Sequence, residues 1–340
     1  MAMYYSNSDV RLEEMPTPQV GPGEILVRVL ASGICGSDAM EWYRAAKAPL
    51  VLGHEIAGEV VEVGQGVSGY GPGDRVTAAH HVPCNTCHFC ASGHHTVCDT
   101  LRRTTFDPGG FAEMVRLPAL NVDRGVFPLP DEVSFEEATF TEPLACVLRG
   151  LGQARLEPGN SVLVVGSGIA GLLFVKAARA LGAGRILATD ISPYRLEAAR
   201  RFGAEAAIPA EEAVPQRLRQ LNDGLLADRV VVCTGAAPAI AQALASVERG
   251  GTVLLFAPTG PGVTVPISIN DLFFRNDVTL TTSYAGAPAD YALALELIRA
   301  RRVEVQDMVT HRLGLSEVGR GIELVAQAQE SLKVIVEPQR

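Results

Sequence analysis

Cys84, Cys87, Cys90 and Cys98 stand in the spacing C-x2-C-x2-C-x7-C. Four thiolates so placed can close a tetrahedral zinc site, and a closed site has no open coordination position for substrate. The reading is therefore a structural zinc that organises a lobe over 80–102. Chemistry has to come from other residues. Disulfides fit a chain of this length poorly, and a redox CxxC would leave two of the four cysteines unexplained.

Gly166-Ser167-Gly168-Ile169-Ala170-Gly171 follows the apolar run Val162–Val165 and opens an amphipathic stretch, which is the setting that gives a GxGxxG its meaning. Gly166, Gly168 and Gly171 allow a tight turn, close approach of a pyrophosphate and close helix-on-strand packing. Ile169 begins the helix whose positive end faces the phosphates. Asp190 lies 22 residues past Gly168, at the end of the next strand. A carboxylate there accepts from the adenosine ribose and repels a 2′-phosphate, which favours NAD(H) over NADP(H). Arg195 leaves three readings open: a stack on adenine, a softened discrimination against NADP(H), or a solvated helix residue.

A second donor set accompanies this motif. Cys35 lies in Gly33-Ile34-Cys35-Gly36-Ser37-Asp38, His54 and Glu55 follow Leu50-Val51-Leu52, and Glu142 stands further on. Taken singly, a buried Cys is usually a small core residue and a His beside a Glu a polar pair. Together, thiolate, imidazole and carboxylate suit Zn²⁺ in an exchangeable, catalytic arrangement. His80, His81, His94 and His95 flank the cysteine lobe and are read as surface residues, because four thiolates already satisfy one zinc.

The elements that must hold these groups fall into two textures. The first part is rich in Gly and Pro with short β-like runs such as Ile25–Val29 and Glu59–Val63, suggesting a partly open β-barrel. From Ser161 strand and helix alternate: 161–165, 172–181, 185–189, 193–202, 229–233, 238–247, 252–256 and 278–282. That alternation predicts an α/β unit with a doubly wound parallel sheet. Helices over 290–302 and 316–328 and a strand over 333–337 follow, with 262–269 also strand-like. The last fifty or so residues are expected to fold back onto the N-terminal part.

The chain has 340 residues, enough for two domains, and a formal charge of −9. That balance disfavours nucleic acid and anionic membranes, both of which need clustered Lys and Arg. The start, Met1–Ser6, has neither a basic region nor an apolar core, and no apolar run approaches eighteen residues, so a cytoplasmic protein is expected.

Across its length the chain resembles the zinc-dependent medium-chain alcohol dehydrogenases. Gly53-His54-Glu55 with Gly58, Gly64 and Val67 follows that family's GHE-x2-G-x5-G-x2-V signature, and Gly71-Pro72-Gly73-Asp74-Arg75-Val76 its next loop. Cys35-Gly36-Ser37-Asp38 and Glu142-Pro143-Leu144 are most similar to the polyol branch of sorbitol, threonine and galactitol-phosphate dehydrogenases. The resemblance implies a GroES-like catalytic domain over 1–148 and 286–340, a Rossmann domain over 149–285, and an active site in the cleft between them. It implies a catalytic zinc on Cys35 and His54, with Glu55 and Glu142 holding the metal directly or through its water. It makes Ser37, His54 and Glu55 catalytic, with Ser37 beside the substrate oxygen. Thr234 and Ser283 would contact the cofactor. Two zincs per chain, a homodimer or homotetramer, and a small alcohol or ketone as substrate complete the expectation.

Two positions depart from that pattern. Many relatives carry a His where this chain has Met40, and sorbitol dehydrogenases carry an Arg where it has Ser283. Glu41-Trp42-Tyr43 falls where the family forms its pocket wall, so Glu41 is either a substrate contact or a packing residue. Competing readings are an NADP(H)-dependent carbonyl reductase, a threonine 3-dehydrogenase-like enzyme, and a binding protein that kept the scaffold without the reaction.

Overall fold

The computed structural model describes residues Met1–Arg340. The chain divides into two compact units, Met1–Ala145 with Ala285–Arg340, and Cys146–Tyr284.

In the first unit two nine-residue strands, Ile25–Gly33 and Glu55–Val63, pair antiparallel in a seven-stranded sheet. β-branched and apolar residues facing one side, among them Ile25, Val27, Val29, Ile56, Val60 and Val76, form its core with Val115 and Leu117. The register sets Gly33 opposite Glu55, so the ends of these strands deliver Cys35 and His54 to one place. On the other side of Ile25–Gly33 runs the strand Lys333–Glu337, with Ile335 opposite Gly33. The sheet ends in unclosed edges at Val309–Gly314 and Val126–Pro128, which gives the partly open barrel.

The second unit is a six-stranded, wholly parallel sheet. Its central strand Val162–Val165 is buried along its whole length, as expected for a strand covered on both faces. Numbering this unit's strands by sequence, the spatial order is 3-2-1-4-5-6, the order of dinucleotide-binding doubly wound sheets. Ser192 caps the helix Pro193–Arg201 through Arg195 N–H, with proline in its first turn.

The strand Ala206–Pro209 and the helix Val214–Leu221 fill the stretch between the expected elements 193–202 and 229–233. Conversely, 263–268 forms no strand, and Gly262 is a turn residue: the stretch is largely exposed and pairs with no segment of the chain.

Candidate catalytic metal centre and dinucleotide site

Cys35 caps the short turn Gly36–Ala39: Ser37 N–H donates to its Sγ at 3.4 Å, while Asp38 returns a carboxylate oxygen to Cys35 N–H at 3.1 Å. His54 sits at the mouth of the strand Glu55–Val63 with a side chain 13% exposed. Donor atoms of Cys35, His54 and Glu55 all lie within 4.8 Å of one another, the chemistry and spacing of a zinc site. Glu142 is buried in the first turn of the helix Thr141–Gln153, and its carboxylate is not part of that convergence.

Three residues around the cluster carry roles that residue type alone did not announce. Asp38 is fully buried, and its Oδ1 lies 3.5 Å from His54 Nδ1, the carboxylate–histidine pairing that orients a metal-ligating ring. Burial opposes the charged form of Asp38, but the His54 ring, the Arg44 guanidinium and Cys35 N–H reverse that and hold the carboxyl below its ordinary value. Burial likewise disfavours the His54 imidazolium, but the Asp38 carboxylate outweighs it and lifts the ring's proton affinity well above the ordinary value.

Lys333 is the second such residue. It reaches from the last strand to form a buried ion pair with Glu55. The pair passes over Gly33, where any Cβ would sit on the Glu55 carboxylate and the Lys333 ammonium. Arg44 is the third, donating to the Ser37 carbonyl, the Ser37 hydroxyl and Asp38.

His80 and His81 are not surface residues, a correction to the sequence reading. The His80 ring lies 4.8 Å from His54 and 3.8 Å from His81, and His81 Nδ1 meets Thr104 O at 2.7 Å. Burial drives His80 well below its ordinary value and His81 down to about 4. Glu41 accepts from Asn7 N–H at 3.1 Å, which gives it a packing partner.

In the lobe, neighbouring sulfurs lie 3.6 Å (Cys87–Cys90), 3.6 Å (Cys98–Cys84) and 4.0 Å (Cys84–Cys90) apart, and no cysteine is in a disulfide. Tetrahedral zinc with its usual Zn–S bonds needs about 3.8 Å. Hydrogen bonds from Thr86 N–H, the Thr86 hydroxyl and Cys87 N–H pull Cys84 down to about 5, while burial pushes the Cys90 thiol up to about 12. These hydrogen bonds favour the thiolate at Cys84, the form that ligates zinc, and a bound cation would displace the protons of the other thiols.

In the second unit Gly166 has φ +93°, and a Cβ on Gly171 would collide with the Gly166 carbonyl, so the loop accepts glycine at both. Asp190 ends the strand Ile186–Asp190 and accepts from Ser167 N–H at 2.7 Å and Ser192 N–H at 2.9 Å, tying the glycine loop to the next strand end. Thr234 packs against Gly166, and the Arg195 guanidinium faces Gly168. Arg195 Nε and Ser283 Oγ are among the buried side-chain atoms without a hydrogen-bond partner.

Residues 21–131 match the family model "Alcohol dehydrogenase GroES-like domain", and residues 170–300 match "Zinc-binding dehydrogenase". A sorbitol dehydrogenase of Gallus gallus is 33% identical over 96% of this chain and 93% of its own. An alcohol dehydrogenase from Thermus sp. ATN1 superposes with a TM-score of 0.85 at 32% identity, covering 99% of each chain. The 2R,3R-butanediol dehydrogenase of Bacillus subtilis does so with a TM-score of 0.87 at 26% identity, again over 99% of each.

Proposed function

Because the chain belongs to the zinc-dependent medium-chain alcohol dehydrogenase family, in its polyol branch, we propose that it reversibly oxidises a secondary alcohol, diol or polyol to the ketone with NAD⁺. The observation that carries this reading is the convergence of Cys35, His54 and Glu55 at the ends of paired strands, with the backbone N–H of Ser37 on the Cys35 sulfur. The sorbitol and butanediol activities named for its relatives support a substrate with neighbouring hydroxyls.

Cys35 and His54 would hold the catalytic zinc, with Glu55, which converges with them, and Glu142, which stands outside that convergence, holding the metal directly or through its water. The lobe cysteines Cys84, Cys87, Cys90 and Cys98 would hold the structural zinc. When bound, the catalytic zinc would supply Lewis acidity toward the alcohol oxygen and the nicotinamide a hydride acceptor. Ser37 offers the hydroxyl through which the alcohol proton is handed outward, and its N–H supports the Cys35 sulfur. Asp38 keeps the His54 ring in one orientation. Gly166, Gly168, Ile169 and Gly171 would receive the pyrophosphate. Asp190 favours NAD(H) by repelling a 2′-phosphate, while Arg195, Thr234 and Ser283 line the rest of the cofactor site.

We take the working form to be a cytoplasmic homo-oligomer acting on small molecules. No helix is long and apolar enough to cross a membrane.

A test combines zinc analysis with a screen of NAD⁺ and NADP⁺ reduction against secondary alcohols, vicinal diols, polyols, a sugar phosphate and threonine. Two zincs per chain with NAD⁺-dependent turnover of diols or polyols is the expected result. A single zinc per chain without turnover would instead indicate the non-catalytic relic.

A further inference from the structure

Met40 lacks the imidazole that many relatives carry at its position, yet the Ser37 hydroxyl is not left to solvent. One helical turn further on, Arg44 ends the short helix Glu41–Arg44 and folds back with a side chain only 14% exposed. Its Nε donates to the Ser37 carbonyl at 3.0 Å. One terminal nitrogen donates both to Ser37 Oγ at 2.9 Å and to Asp38 Oδ1 at 3.1 Å. The same Oδ1 faces His54 Nδ1, and the other oxygen of that carboxylate accepts from Cys35 N–H. One guanidinium therefore touches the Ser37 hydroxyl, two residues from Cys35, and also the carboxylate that faces His54 and accepts from Cys35 N–H.

We propose that Arg44 is a positioning residue of the catalytic metal centre, fixing the Ser37 hydroxyl and neutralising the Asp38 carboxylate that His54 and Cys35 share. The inference rests on the alcohol dehydrogenase reading. A guanidinium donates and never accepts, so Ser37 Oγ must accept from Arg44, and the serine's own hydrogen points elsewhere. A proton handed to Ser37 cannot leave through Arg44, as it could through an imidazole, and has to pass to another acceptor. The fork geometry matters as much as the charge. Lysine would neutralise Asp38 but could not span the Ser37 carbonyl, the Ser37 hydroxyl and the carboxylate from one planar group.

The test uses the full chain carrying Arg44→Met, Arg44→Lys, Asp38→Asn, and Asp38→Asn with Arg44→Met. Zinc affinity is measured by competition with a chromogenic chelator, and the ligand geometry by the visible spectrum after Co²⁺ replaces zinc. Arg44→Met should weaken the catalytic zinc about 10- to 100-fold, the usual effect of losing a group that orients a ligand. It should also shift the cobalt bands while the lobe zinc is retained. Arg44→Lys should restore most of the affinity but leave kcat about 10-fold low with KM unchanged. With Asp38→Asn in place, Arg44→Met should cost no further affinity.

Wild-type zinc affinity and cobalt spectrum in Arg44→Met would overturn the proposal. So would an equal loss in both backgrounds. If Arg44→Met does not fold, the Lys variant and the double variant, which lacks the buried charge, still decide. The metal readouts need no substrate, so a wild-type protein inactive on every alcohol would count against the dehydrogenase reading alone.

Discussion

Lys333 and Glu55 are both buried, with side chains 0% and 1% exposed, and each is the other's counter-ion. Breaking such a pair from one side strands a charge out of water, which costs about 3–5 kcal/mol. Lys333→Met is expected to lower the denaturant midpoint accordingly, and adding Glu55→Gln should recover most of the loss; equal midpoints in all three proteins would deny the pair its role. The donor residues Cys35, His54 and Glu55 were legible in the sequence because their types are those of zinc ligands. Asp38, Arg44 and Lys333 were not, because each acts through a partner's position. Lys333 is 278 residues from Glu55, and only the strand register brings the two together.

At the level of elements, two local devices make separate predictions. Gly171→Ala should drive a methyl into the Gly166 carbonyl, and NADH binding followed by fluorescence titration should weaken by at least about 10-fold, with overpacking of roughly 1–3 kcal/mol. Cys84→Ser should remove one zinc per chain and open 80–102 to protease at neutral pH. In the unmutated lobe the hydrogen bonds on Cys84 favour its thiolate, and because zinc displaces the protons of its thiol ligands, acidification should release the metal, as read by chelator assay. The glycine loop and cysteine lobe were legible because a fixed spacing encodes them. The strand Ala206–Pro209 was not: two alanines and a closing proline carry little strand preference, and the segment is a strand because Ile186–Asp190 offers it a parallel edge.

Over the whole chain, the change of texture near Ser161 anticipated the parallel sheet, and the late strand Lys333–Glu337 appeared where the sequence placed it. Within the first unit the returning segment is clamped by ion pairs of Arg301 with Glu137 and Arg312 with Glu136. Burial opposes the charged form of Glu137, but Ser134 N–H, the Ser134 hydroxyl and Arg301 outweigh it and hold the carboxyl below its ordinary 4.5. Its contribution is therefore present above that value and lost as pH falls through the lower folded value. Glu137→Gln should be less stable than wild type at neutral pH, with the gap closing on acidification; a gap that does not depend on pH would show that the charge is not what matters. The Lys333–Glu55 pair also has a consequence for biosynthesis. A ribosome adding roughly 5–20 residues per second takes on the order of tens of seconds to travel from Glu55 to Lys333. Throughout that interval the buried pair cannot form, so the end of the sheet at Glu55 is completed only when the last strand, Lys333–Glu337, has been made.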